Sequence, residues 1–290
     1  MRPKASNEIK IGDLPSYPID EIIANARHQA ICFLRPDELG LPSLQCGSGT
    51  FVRYDQHFGI VTAAHVVRAL EKQNHWFVML PNGICKRFDH RFVEYFSTPP
   101  PDSANGPDIG FIRLSIHAAD ALGAMFSPVN LRYHRMAYAK KRLRRDYGVW
   151  VEVGFPLALG GRSVDAANRT ITTGVFCLVA AGNVEAVRRR GVFDYYDGKV
   201  EYSGQRNVPR TFEGMSGGGL WQMRLAFKKS TQRYVILDRI FSGVVFYEIA
   251  KKGVVSKIRS HGRRSVYDYV IGEWILRKPT RNSAAPQRCI

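Results

Sequence analysis

Short apolar runs separated by polar, glycine- and proline-rich breaks dominate the chain, and their length favours strands over helices. Ala30 to Leu34 is the first run. Thr50-Phe51-Val52 followed by Arg53-Tyr54-Asp55-Gln56 predicts a strand and a turn, and Gly59-Ile60-Val61-Thr62 predicts the returning strand. Trp76 to Leu80 closes on Pro81-Asn82-Gly83, whose Asn-Gly pair is a strong hairpin signal. Arg91 to Phe96 and Ile109 to Leu114 continue the pattern. A Pro-rich loop, Thr98 to Pro107, separates those two. From about Ser127 to Asp146 the sequence is basic and less periodic, as a connection between two lobes would be. Strand-like runs resume at Val149 to Val153, Thr170 to Val179, Leu220 to Met223, Tyr234 to Leu237 and Phe241 to Tyr247.

The end of the chain follows a different period. Tyr267, Val270, Ile271, Trp274 and Ile275 are spaced as one apolar face of a helix. Arg277 and Lys278 lie near its end, where cations suit the dipole, and Pro279 stops it. Many short strands followed by one helix argue for barrels or sandwiches rather than βαβ units. No internal repeat and no low-complexity segment interrupts the pattern.

Composition narrows the classes. The 290 residues are 45% hydrophobic, enough for a sizeable core. No apolar stretch is long enough to span a bilayer, and even Ile236 to Ile249 is broken by Asp238, Arg239 and Glu248. No apolar region follows Met1-Arg2-Pro3-Lys4, so a secretory signal is not expected. Cys289 lies too close to the end for a prenylation box. The five cysteines, Cys32, Cys46, Cys85, Cys177 and Cys289, are odd in number and lack CxxC spacing. Reduced thiols and a cytoplasmic location are therefore expected. The net charge of +17 is densest at Lys140-Lys141-Arg142-Leu143-Arg144-Arg145 and Arg188-Arg189-Arg190. Such runs could bind a polyanion such as nucleic acid, but no nucleic-acid motif accompanies them, and solvated loops between strands are the favoured reading.

Three motifs carry candidate chemistry. In Thr62-Ala63-Ala64-His65, small residues let an imidazole project into a cleft, although a lone His is more often a packed or exposed residue. In Pro107-Asp108-Ile109-Gly110, a carboxylate stands at the mouth of an apolar strand. By itself it reads as a turn residue, but an Asp paired with His65 would fix the tautomer and stabilise an imidazolium. In Glu213-Gly214-Met215-Ser216-Gly217-Gly218-Gly219, glycines permit a tight turn that exposes a nucleophile. A phosphate loop would instead want a Lys and a following helix, and Leu220-Trp221-Gln222-Met223 reads as a strand. The order is His, Asp, Ser, with Asp108 43 positions after His65 and Ser216 108 positions after Asp108. That is the order of chymotrypsin-like enzymes, not of subtilisins or α/β-hydrolases.

On these residues the chain resembles a trypsin-like serine protease of the chymotrypsin fold, with HtrA-like features but no PDZ domain. Gly47-Ser48-Gly49-Thr50-Phe51-Val52 is similar to the strand opening the first barrel, and Gly154-Phe155-Pro156 with Thr170 to Val175 to the start of the second. The resemblance covers roughly residues 28 to 277. Val66 stands where secreted trypsins carry a disulfide Cys, and no activation cleavage site is evident. The resemblance implies an all-β fold of two six-stranded antiparallel β-barrels with a C-terminal α-helix. It implies a lead-in over 1–25, a first barrel over 26–126, a connection over 127–147, a second barrel with the helix over 148–278, and a tail. His65, Asp108 and Ser216 would form the triad, with the backbone N–H groups of Gly214 and Ser216 as the oxyanion hole. Arg210, six residues before the nucleophile, would help floor the primary pocket and favour acidic side chains. Gly243, Val244 and Phe246 would line the substrate cleft. No metal or cofactor is needed. The implied partners are a protein or peptide substrate and a regulatory partner, with no membrane. The alternative is a latent or inactive protease-fold binding module, contacting polyanions such as nucleic acid through its basic surface.

Overall fold

A computed structural model of the chain describes residues 28–80, 83–101, 106–141, 149–165, 170–174, 178–182, 184–200, 202 and 209–277. The polar lead-in, Asn82 of the hairpin signal, positions 142–145 of the first basic run, Cys177, Cys289 and the tail lie outside the described residues.

The first half builds one antiparallel sheet from β1 (Ala30–Pro36), β2 (Pro42–Tyr54), β3 (His57–Thr62), β4 (His75–Met79), β5 (Cys85–Asp89), β6 (Val93–Ser97) and β7 (Gly110–Leu114). The order across it is β5-β4-β1-β2-β3-β7-β6, and β8 (Val129–Asn130) adds a short parallel pairing to β2. The Ala30–Leu34 part of β1 and Trp76–Met79 of β4 read as unbroken apolar runs because both faces are buried. Ile31, Phe33, Phe51, Ile60 and Ile112 point into one core with Trp76 and Leu70. Their neighbours Cys32, Leu34, Val52, Val61 and Phe111 point into another, shared with Val151, Val153, Trp221, Phe241 and Val270 of the second half. That shared core joins the two halves.

Two helices interrupt this half. Helix α1 (Ala64–Glu71) buries Ala64, Val66, Val67 and Leu70. Helix α2 (Ile116–Gly123) is capped by Ser115, whose side chain accepts from the Ala118 N–H. The segment read as a connection holds β8 and a third helix, α3 (Leu131–Lys141).

The second half contains β9 (Val149–Gly154), the separate hairpin β10 (Gly161–Asp165) and β11 (Thr170–Gly174), and β12 (Leu178–Gly182). It continues with β13 (Val184–Arg190), β14 (Phe193–Lys199), β15 (Gly219–Lys228), β16 (Arg233–Lys251) and β17 (Val254–His261). The main sheet runs β12-β9-β15-β16-β17-β14-β13. The expected Tyr234–Leu237 and Phe241–Tyr247 strands are one strand, β16. Asp238, which reads as a break, pairs across the ladder with Arg224 at 3.1 Å. The Arg188–Arg190 run is an exposed part of β13 at the sheet edge, not a loop.

The all-β class with two antiparallel sheets is the one expected. Among the described residues the two sheets hold eight and seven strands, with the hairpin apart. The closing helix α4 (Ser265–Ile275) buries Tyr267, Val270, Ile271, Trp274 and Ile275, the face read from the sequence. It is wound as a π-helix rather than an α-helix, and the Leu276 N–H at its end donates to the Ile271 carbonyl, five residues back, at 3.0 Å. Helix α4 ties both halves together, because Arg113 of β7 donates to the Trp274 carbonyl and the Tyr267 hydroxyl to the Phe241 carbonyl.

Candidate active site

His65 is the second residue of α1, at the end of β3. The N-cap position, Ala63, offers no side-chain acceptor, so the first N–H groups of the helix need one from elsewhere. Asp108 supplies it. Its Oδ1 accepts from the His65 backbone N–H at 2.9 Å, and its Oδ2 lies 2.5 Å from the His65 ring Nδ1. One carboxylate thus caps a helix and orients the imidazole on it. A carboxylate can only accept, so His65 carries its proton on Nδ1 and presents a bare Nε2.

Asp108 is 6% exposed, at the entry to β7. Burial pushes its carboxyl up, but the hydrogen bonds and charge of His65, with Arg68 at 3.7 Å, outweigh burial and hold it below the usual range. Arg68 is itself fixed by donating to the Thr98 carbonyl at 2.9 Å.

Ser216 stands on the corner of two consecutive tight turns. The Met215 N–H donates to the Phe212 carbonyl at 2.9 Å and the Gly218 N–H to the Met215 carbonyl at 2.8 Å. Each turn has a glycine at its third position, Gly214 with φ +90° and Gly217 with φ +91°. A Cβ at Gly217 would lie 1.9 Å from the Ser48 carbonyl oxygen and 2.0 Å from Thr62 Oγ1, so no other residue fits there.

Those contacts also show what brings the motifs together. Ser48 of β2 donates its N–H to the Ser216 carbonyl at 2.7 Å. Its hydroxyl donates to the Gly214 carbonyl at 2.7 Å and accepts from the Phe155 N–H at 2.9 Å. Thr62, three residues before His65, donates to the Ser48 carbonyl at 2.6 Å. A Cβ on Gly47 would lie 2.6 Å from Val66, the residue after His65, and 3.2 Å from the Ser216 carbonyl oxygen. The nucleophile turn is thereby pinned against the 62–66 segment. Among the described residues neither Ser216 Oγ nor His65 Nε2 makes a hydrogen bond, and neither the Gly214 nor the Ser216 N–H is donated elsewhere. Two undonated N–H groups and an unbonded hydroxyl on a turn packed against the segment that carries His65 suit acyl transfer.

Arg210 is exposed on the bend before the turn, and its carbonyl accepts from the Val255 N–H at 3.4 Å. Val244 is fully buried in the shared core. Gly243 is packed against β17, where a Cβ would lie 1.8 Å from the His261 carbonyl oxygen. Phe246 is buried and stacked on the His261 ring at 4.5 Å. Cys32, Cys46 and Cys85 are thiols without a disulfide, and burial pushes Cys46 up to about 12, far from a reactive thiolate.

Ser48 and His261 are the site residues that sequence reasoning missed. Ser48 sits between two glycines, a signal of close backbone approach that could have pointed to it. His261 lies among Lys257, Arg259 and Arg263, a surface-like stretch that gives no such signal.

No protein-family model and no curated protein matches the chain. Among solved structures, the chain is similar to the inactive form of a serine-to-alanine mutant of Rv3671c from M. tuberculosis H37Rv. Identity is 15%, the TM-score is 0.44, and the likeness covers 89% of this chain and 93% of that one.

Proposed function

We propose that the chain is a serine endopeptidase in which Ser216 is the nucleophile, His65 the general base and acid, and Asp108 the group that orients His65. The observation that carries this reading is the double use of Asp108. The same carboxylate fixes the backbone and the ring of His65 through Nδ1, which leaves Nε2 as the nitrogen available for a base, and the 62–66 segment that carries His65 is packed against the Ser216 turn.

Ser216 Oγ attacks the peptide carbonyl carbon while its proton passes to His65 Nε2. The carbonyl oxygen becomes an oxyanion held by the Gly214 and Ser216 N–H groups, each worth about 3 kcal/mol. The C–N bond then breaks, His65 hands its proton to the leaving amine, and an acyl ester remains on Ser216. Water, deprotonated by His65, attacks the ester, and the acid leaves as the proton returns to Ser216 Oγ. Asp108 stays ionised throughout, in keeping with its lowered pKa.

The unbonded Ser216 Oγ favours a second reading, a site held latent until a substrate or partner draws serine and base together. Incubating the protein with a diverse peptide library and identifying the products by mass spectrometry tests the first reading. Cleavage that disappears in both Ser216→Ala and His65→Ala supports it. Cleavage that survives Ser216→Ala contradicts it.

A further inference from the structure

We propose that His261 is a positioning residue for the His65–Asp108 pair, acting through the backbone of Asp108. The inference deepens the hydrolase reading, but its geometry stands without it.

Asp108 lies just before β7 enters its ladders: the first paired residue of β7 is Gly110, opposite Thr62 on β3 and Ser97 on β6. Its buried N–H is therefore outside the strand pairing and needs another acceptor. His261 Nε2 accepts it, at 2.9 Å. His261 ends β17, so the bond reaches from the second sheet to the residue that sets the direction of the carboxylate. Ile109, the next residue, donates instead to Thr98 Oγ1 of its own sheet, at 3.2 Å.

The imidazole has no freedom to play another role. Its Nε2 faces a group that can only donate, so the ring proton sits on Nδ1. Nδ1 lies 3.3 Å from Ser265 Oγ, and Ser265 Oγ in turn lies 2.9 Å from Asp194 Oδ1. Asp194 also takes the Arg264 N–H at 3.2 Å and the Ser265 N–H at 2.9 Å, at the start of α4. Hence the Asp108 N–H and the His261 Nδ1–H each meet one acceptor, and the Ser265 Oγ–H meets two on Asp194, Oδ1 at 2.9 Å and the backbone oxygen at 3.1 Å. The ring packs against Phe246, stacked at 4.5 Å, and against Tyr195 at 5.1 Å. Burial drives His261 down to about 3, with the Asp108 charge opposing, so the acceptor nitrogen stays bare at neutral pH.

Removing the acceptor would leave the Asp108 N–H buried and unpaired, and the carboxylate would swing to relieve it. His65 would then lose the geometry of its 2.5 Å contact. The test uses His261→Phe, which keeps a ring but no acceptor, and His261→Gln, whose amide oxygen can accept. His65 is followed by NMR through its Nδ1–H resonance, alongside kcat and KM on a cleaved peptide. In His261→Phe the downfield Nδ1–H resonance should be lost, and kcat should drop roughly ten- to hundredfold with KM little changed. His261→Gln should recover most of both. If His261→Phe folds with an unaltered His65 Nδ1–H resonance, or if both variants are equally impaired, the inference is overturned. In the wild type, the His261 ring must show a protonated Nδ1 and a bare Nε2. The reverse tautomer overturns the inference even if His261→Phe does not fold. An NMR change as expected, in a protein that hydrolyses nothing, would support the positioning role and contradict the hydrolase reading instead.

Discussion

The two halves of the candidate site are held in place by different forces. On the first sheet, His65 and Asp108 are locked by charge: a short ring–carboxylate contact, a capped helix N–H, and Arg68 nearby. On the second, the Ser216 turn is locked by shape. Neutral backbone bonds and two glycines with positive φ hold it against Ser48 and Thr62, and the hydroxyl itself is bonded to nothing described. A base has to keep one tautomer and one direction, which a buried carboxylate enforces. A nucleophile has to be free to move onto a substrate, which a rigid turn with a free hydroxyl allows.

That contrast can be broken most severely at Gly217. A methyl group there meets the backbone oxygen of Ser48 at 1.9 Å, so Gly217→Ala should rebuild the turn. We expect hydrolysis to fall to the level of Ser216→Ala and stability to drop by about 1–3 kcal/mol, measured by denaturant titration. Wild-type rates in Gly217→Ala would show that shape does not hold this half.

Asp108→Asn attacks the other half through charge. The amide can still cap the helix with its oxygen but no longer matches the Nδ1–H tautomer, so kcat should fall roughly 10⁴-fold while the fold survives. The carboxyl is held low, so its contribution to stability is present above its unfolded-state pKa and is lost as pH falls through the folded value. Acid titration of the wild type should show a loss at low pH that Asp108→Asn lacks.

Ser48→Ala cuts the link between the halves, leaving the Phe155 N–H without its acceptor and the Gly214 carbonyl without its Ser48 donor. About 1–3 kcal/mol of stability should be lost. Under the proposed mechanism, in which the Gly214 N–H would hold the oxyanion, hydrolysis should slow, but by less than in Asp108→Asn. Equal stability of variant and wild type in a thermal melt would remove Ser48 from the account.

The smallest effect on hydrolysis is expected from a group of the second sheet alone. Burial pushes Glu152 of β9 up to about 8. The folded chain keeps that proton where the unfolded chain, with an ordinary value of 4.5, releases it. Stability should therefore fall as pH rises from 4.5 to about 8, and Glu152→Gln should abolish that slope and be the more stable protein at pH 8. Parallel stability–pH curves for the two proteins would contradict the assignment.

The parts of the fold written in local pattern were legible. The apolar runs at Ala30–Leu34 and Gly59–Thr62 are strands, and the apolar face of the last helix is buried. The His, Asp and Ser motifs were also legible, because glycines and small residues around a functional group need few neighbours to be recognised. What was hidden depends on distant partners. Strand β17 carries Lys257 and Arg259, which read as surface, yet Arg259 is buried in a two-point pair with Asp197 at 2.6 and 3.0 Å. The fused β16 was masked by Asp238, whose partner Arg224 lies on the neighbouring strand. Ser48 and His261 act across the two sheets, and no local spacing encodes that. The π winding of the last helix leaves the same apolar face buried, so periodicity could not reveal it.

The central claim is that Ser216 is an activated nucleophile, and it is tested most directly by labelling the purified protein with a fluorophosphonate and mapping the adduct by mass spectrometry. The account predicts one adduct, on Ser216, lost in Ser216→Ala and strongly slowed in Asp108→Asn. An adduct on another residue, or none on the wild type under conditions where it is folded, would contradict it.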